Sequence, residues 1–194
     1  MIDPAVLVRG YREGRFPMGL DGGEIGWFSP DPRGILPLDT FHAPRRLQRL
    51  VRTGEFTIRI DAGFEAVMCA CAARRDEGTW INEEILASYT ALHRLGLAHS
   101  VEAWQDGALA GGLYGVHLGG AFFGESMFHR VPNASKVALV ALVERLRRQG
   151  FTLLDIQWVT AHLAQFGAIE VPRRQYLRLL SAALAQTCAF DVSG

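Results

Sequence analysis

Apolar positions recur along the chain with two periods, and the switches between them lay out the elements. Asp3 and Pro4 predict a helix over residues 3–10, with Asp3 as N-cap and Pro4 in the first turn, where its missing N–H costs nothing. Gly and Pro crowd residues 19–37 and predict an interruption of regular structure, with a soft boundary near Pro32. An arginine-rich amphipathic helix over 41–52 leads to a strand over 56–60 and a helix over about 63–74. Asn82 caps the next helix, whose Ile85, Leu86, Tyr89 and Leu92 keep helical spacing until Gly96 ends it. Three strands follow: 101–104 turns at Asp106-Gly107 into 108–116, and Gly119-Gly120 turns into 121–128. Asn133 or Ser135 caps a long helix over 136–149, stopped by Gly150. An apolar strand over 151–159, a short helix near 162–166 and a segment from Val171 complete the pattern.

This order predicts an α+β fold: a small N-terminal α/β segment, residues 1–32, then a domain over 33–194 ordered like the GCN5-related N-acetyltransferases (GNAT-like). Element order by itself is fold analogy. Acetyl-CoA enzymes of that fold hold pyrophosphate on the backbone amides of a glycine-containing loop before the long helix. Here the junction reads Arg130-Val-Pro-Asn-Ala-Ser135, without a glycine, so a CoA site has little support.

Composition narrows the class. With 194 residues, 49% hydrophobic and 21% charged, the chain is globular and short for two ordinary domains. Its 20 basic residues balance 20 acidic ones, so overall charge predicts no polyanionic partner. Charge is nevertheless uneven: residues 41–75 carry +4, and Arg45, Arg46, Arg49, Arg52, Arg74 and Arg75 supply most of it. These side chains either follow the phosphates of a nucleic-acid backbone or form a solvated helix face. No apolar run approaches the ~18 residues a bilayer needs, and no charged-then-apolar leader opens the chain. The three cysteines, an odd number, read as buried thiols. A soluble, cytoplasmic protein is expected. The six histidines lack metal-ligand spacing, so no metal is expected.

Several residues carry possible chemistry. Asp155 and Gln157 lie two apart on an apolar strand and are expected to share a face. They either act together on a substrate or are polar strand-end residues satisfied by backbone. Glu125, between Gly124 and Ser126, is an acid in apolar company: it either recognises a cationic group or forms an internal ion pair with Arg130 or Lys136. Leu113, Phe122, Met127 and Leu139 are core residues on the strand and helix pattern. Trp80 either anchors packing or stacks on a base.

The motifs as a set resemble one family. They run from Tyr11-Arg-Glu-Gly-Arg-Phe-Pro-Met18 and Trp27-Phe-Ser-Pro-Asp-Pro-Arg33 through Gly78-Thr-Trp-Ile81, His99-Ser-Val-Glu102 and Gly111-Gly-Leu-Tyr-Gly-Val116. They continue with Gly124-Glu-Ser-Met-Phe128, Asn133-Ala-Ser-Lys136, Asp155-Ile-Gln157, His162-Leu163, Gly167-Ala168 and Pro172-Arg173. In this order they resemble the leucyl/phenylalanyl-tRNA:protein transferases, which move Leu or Phe from charged tRNA onto proteins beginning with Arg or Lys.

The resemblance implies transfer of Leu, Phe or Met from aminoacyl-tRNA, without a cofactor, by a monomer that tags proteins for N-end rule degradation. It implies that Asp155 fixes the Gln157 amide, whose oxygen accepts from the attacking amine, and that Glu125 recognises the basic N-terminal residue. Leu113, Phe122, Met127 and Leu139 would line the aminoacyl pocket, with Trp80, Met18 and Trp27 at the terminal adenosine. Arg45, Arg46, Arg49, Arg74 and Arg75 would meet tRNA. Relative to the family pattern, Met18 stands where tryptophan is frequent, Gln165-Phe166 replace a usual Ser-Leu, and the first domain, residues 1–32, is reduced. Two other readings are an acyl-CoA-dependent N-acyltransferase of the GNAT fold and a non-catalytic RNA-binding module.

Overall fold

A seven-stranded mixed sheet with helices on both faces forms the centre of the protein, seen in a computed structural model that describes residues 1–73 and 79–192. Strands β1 (Phe16–Gly19) and β2 (Ile25–Phe28) form a separate antiparallel pair. The large sheet contains β3 (Arg33–Ile35), β4 (Thr57–Ile60), β5 (Ala98–Gln105), β6 (Ala108–Leu118), β7 (Ala121–His129), β8 (Leu153–Gln157) and β9 (Ile169–Val171), in the order β4-β5-β6-β7-β8-β3-β9. Among the described residues only β7 and β8 pair in parallel.

Alternation of side chains across the strands divides the core in two. On one face Tyr114, Val116, Phe123 and Leu153 pack under α1 (Pro4–Arg12), α3 (Phe64–Ala72), α4 (Glu83–Arg94) and α7 (Arg173–Leu184). On the other, Val101, Leu113, Phe122, Leu154 and Ile156 pack against α2 (Arg45–Thr53) and α5 (Ala134–Arg148). The first 32 residues share the first core through Leu7, Tyr11 and Phe16.

Local signals act as expected at several ends. The Asp3 carboxylate accepts from Ala5 N at 2.7 Å, and Asn82 Oδ1 accepts from Ile85 N at 2.9 Å. Elsewhere the structure corrects the sequence pattern. Residues 19–37 contain β2 and β3; strands of four and three residues are too short to show alternation, and β3 carries Arg33 and Gly34. Gly34 is required by crowding, since a Cβ there would lie 2.7 Å from the Trp158 carbonyl carbon. Helix α2 starts at Arg45, because Pro44 takes the N-cap position. Asn133 occupies the N-cap position of α5 at φ 69° but makes no side-chain cap bond. Cys69 is exposed rather than buried.

Candidate active site

The site begins where the sheet opens. Parallel pairing between β7 and β8 covers Ala121, Phe122 and Phe123 opposite Leu153, Leu154 and Asp155, and stops there, although β7 continues to His129. A bulge accounts for the divergence. Tyr114 and Gly115 of β6 pair with Ser126 and Gly124, so Glu125 is the extra residue on β7, and bulges bend the strand that carries them. Gly115 permits this tight approach: a Cβ on it would lie 2.2 Å from the Phe123 carbonyl oxygen. The gap between β7 and β8 is a cleft of about 910 Å³.

Glu125 lines this cleft and is half-buried. It does not pair with Arg130 or Lys136; the Tyr11 hydroxyl donates to Oε1 at 2.7 Å, the Tyr89 hydroxyl lies 3.2 Å from Oε2, and the two hydroxyls bond each other. Burial pushes the Glu125 carboxyl up to about 7; the hydroxyl donors pull against that shift, and the nearby Asp155 charge adds to it. Both tyrosines are held well above their ordinary range, first by burial and then by the Glu125 charge.

Asp155 is fully buried and does not line the cleft. Arg33, 1% exposed, meets it with Nε on Oδ1 at 3.0 Å and Nη2 on Oδ2 at 2.7 Å, while the Tyr176 hydroxyl donates to Oδ2 at 2.6 Å. Burial works against the Arg33 charge, but Asp155 outweighs it and raises its pKa. The guanidinium also lies over the Phe16 and Tyr176 rings and donates to Gly14 O at 3.0 Å.

The contact from Asp155 to Gln157 differs from the expectation. Asp155 Oδ1 accepts from the Gln157 main-chain N–H at 2.9 Å, whereas the Gln157 side-chain Nε2 is buried without a partner among the described residues. Gln157 has φ 58°, and Trp158 N donates to Ile156 O at 2.6 Å across it, a tight γ-turn of the uncommon positive-φ kind. This strained turn ends β8, and Gln157 and Trp158 both line the cleft.

Other expected residues divide. Leu113, Met127 and Leu139 line the cleft, as do Met18 and Trp80. Phe122 does not: it is 0% exposed and packs with the Phe190 ring at 5.4 Å, so it is core beneath the site. Trp27 also lies outside the cleft, its ring over Gly10 of α1. Arg45, Arg46 and Arg49 are exposed on α2 and do not line the cleft. Arg74 and Arg75 fall outside the described residues. Among those residues no three His, Cys, Asp or Glu side chains converge as a metal would require.

The model of the leucyl/phenylalanyl-tRNA protein transferase matches residues 35–181, and that of the same enzyme's N-terminal domain matches residues 1–31. The chain belongs to this family. Curated leucyl/phenylalanyl-tRNA–protein transferases similar to it include that of Rubrobacter xylanophilus, 55% identical over 97% of this chain and 98% of the relative. That of Paramagnetospirillum magneticum is 56% identical over 96% of this chain and 91% of its own. Among solved structures, L-PGS from Bacillus licheniformis aligns with 80% of this chain and 65% of its own at 11% identity and TM-score 0.45.

Within this family member, residues without an assigned role in the sequence surround the site: Tyr11, Tyr89, Arg33, Tyr176 and Trp158. Two signals pointed towards them. An acid inside an apolar strand needs a cation or several donors, which Asp155 finds in Arg33 and Tyr176. A tyrosine at a core position of a helix needs a partner for its hydroxyl, which Tyr89 finds in Glu125. Trp158, 44% exposed, left no periodic signal because it follows the γ-turn.

Proposed function

We propose that the chain transfers Leu, Phe or Met from aminoacyl-tRNA to the free α-amino group of proteins that begin with Arg or Lys. Family membership supports the reaction class. The observation that carries the assignment to this site is that one cleft joins an apolar wall, Leu113, Met127 and Leu139, to the Glu125 carboxylate and to Gln157, whose amide nitrogen has no partner among the described residues.

An aminoacyl ester is already activated, so catalysis consists chiefly of holding the amine against the carbonyl, and no cofactor enters. The amine nitrogen bonds to the ester carbon, the bond to the ribose oxygen breaks, and the amine proton passes to that oxygen. Gln157 presents its amide oxygen to the amine once its side chain turns. Asp155 acts behind it: through the main-chain N–H it holds the γ-turn that aims Gln157, and it is a positioning residue. Glu125, ionised when a guanidinium or ammonium approaches, selects the acceptor's first side chain. Trp80 offers a stacking face for the terminal adenine and Met18 an apolar one. The exposed arginines of α2 suit phosphates further along the tRNA.

The separation of β7 from β8 supports a GNAT-like arrangement for residues 33–194, with residues 1–32 as the N-terminal domain. The test supplies labelled Leu-tRNA with peptides differing only in their first residue. Transfer to Arg- and Lys-starting peptides, and not to an Ala-starting one, is the expected result; equal transfer to all three removes Glu125 from acceptor selection.

A further inference from the structure

The cleft is polarised. Among the described residues Glu125 is the one acid that lines it, whereas His129 and Arg130, at the far end of β7, and His162, on α6 (Ala161–Ala164), line its opposite end. At roughly 3.3 Å per residue, four residues of strand put His129 about 13 Å from Glu125. Lys136 joins this end: it follows Ser135, another lining residue, and its charge, like that of His129, holds the His162 pKa down after the larger effect of burial.

None of the four forms a salt bridge to any described residue. The Arg130 guanidinium lies 5.5 Å from the Phe128 ring centroid and gives one N–H to Leu109 O at 3.3 Å, which leaves donors uncommitted. His162 Nε2 is buried without a partner among the described residues, and the first turn of α5 contains no acid. Arg130 and Lys136, with two imidazoles beside them and no salt-bridge partner among the described residues, give this end of the cleft a positive charge that attracts an anion. A peptide acceptor with a cationic first residue does not supply one, but a nucleic-acid donor does.

We infer that His129, Arg130, Lys136 and His162 form a subsite for the phosphodiester next to the donor's 3′-terminal nucleoside. This rests on the transferase reading. The acceptor cation is then held at one end of the cleft and the donor phosphate at the other, with the aminoacyl side chain at Met127 between them along β7. Opposed charges at the two ends fix which substrate enters from which side.

The test uses three small donors in place of tRNA: leucyl-adenosine, leucyl-adenosine bearing a 5′-phosphate, and leucyl-cytidylyl-adenosine. With the native chain and an Arg-starting peptide, the phosphate should lower the donor KM by roughly tenfold or more, as expected for charge-assisted hydrogen bonds, with little change in kcat. In Arg130→Gln/Lys136→Gln that advantage should fall to near parity, while leucyl-adenosine, lacking the phosphate, reacts as before. Lys136→Arg should retain the advantage. A double variant that keeps it, or one that loses activity equally with all three donors, overturns the subsite. So does an altered preference for acidic residues in the acceptor with donor KM unchanged, which would assign the cluster to the peptide. No transfer from any donor by the native chain would remove the transferase reading and the subsite together.

Discussion

Replacing Asp155 by Asn isolates the charge of the buried pair, because it keeps the side chain's volume and one acceptor oxygen. Arg33 is 1% exposed and Asp155 0%, so neutralising one partner leaves a guanidinium that water cannot reach. Breaking such a pair from one side costs about 3–5 kcal/mol. The Phe16 and Tyr176 rings and Gly14 O still contact the guanidinium, which puts the loss near the lower end, about 3 kcal/mol. For a chain of this length that corresponds to a fall in Tm of roughly 6–12 °C. Urea unfolding at constant m measures it. Arg33→Met/Asp155→Asn should recover most of the loss, since the Asn oxygen still accepts from Gln157 N–H and no buried charge remains. Well below the melting range, Asp155→Ala, which removes the acceptor of the Gln157 N–H, should lower kcat with little change in KM, because the group acts through the Gln157 turn and touches no substrate. An Asp155→Asn variant as stable as the native chain, or a double variant less stable than the single one, would refute the reasoning.

Other predictions follow from the same geometry. Glu125 titrates at about 7 when folded against an ordinary 4.5, so the folded state keeps its proton longer; its contribution to stability is present below pH 4.5 and lost as the pH rises towards 7. Relative to Glu125→Gln, the native chain should therefore lose stability across that window in urea titrations at stepped pH, and parallel curves would contradict the assignment. Trp80→Ala should weaken donor binding by about 1–3 kcal/mol through lost base stacking, seen as a raised KM for aminoacyl-tRNA and an unchanged KM for the peptide. An apolar wall discriminates one misplaced methylene by about 1–3 kcal/mol. In competition on one tRNA body, Leu should thus outpace Ile clearly but finitely; equal transfer would place selection in the tRNA.

The sequence displayed what local physics determines. The Asp3 and Asn82 caps, the Asp106-Gly107 and Gly119-Gly120 turns and the alternating strands β5 to β7 all follow from neighbouring residues, and so do the candidates Glu125 and Gln157. What it concealed depends on distant partners. β3 is too short for a pattern and joins the sheet by pairing with β8 and β9. The bulge at Glu125 is defined by register against β6, which no single strand shows. Alternation expected Asp155 and Gln157 to act from one face, but the positive φ at Gln157 puts one residue in the cleft and leaves the other behind it. Only the family resemblance makes Phe122 a pocket residue; the strand pattern makes it core, and Phe190, a remote residue, packs on it there.

The central claim is that a single cleft between β7 and β8 holds the donor's side chain and its nucleoside beside Glu125 and Gln157. A crystal structure with a non-hydrolysable amide analogue of leucyl-adenosine tests it directly. The leucyl side chain should lie among Leu113, Met127 and Leu139, with the adenine on Trp80 and the carbonyl facing Gln157. An analogue bound elsewhere, or one whose leucyl group points to solvent while the cleft stays empty, would contradict the account.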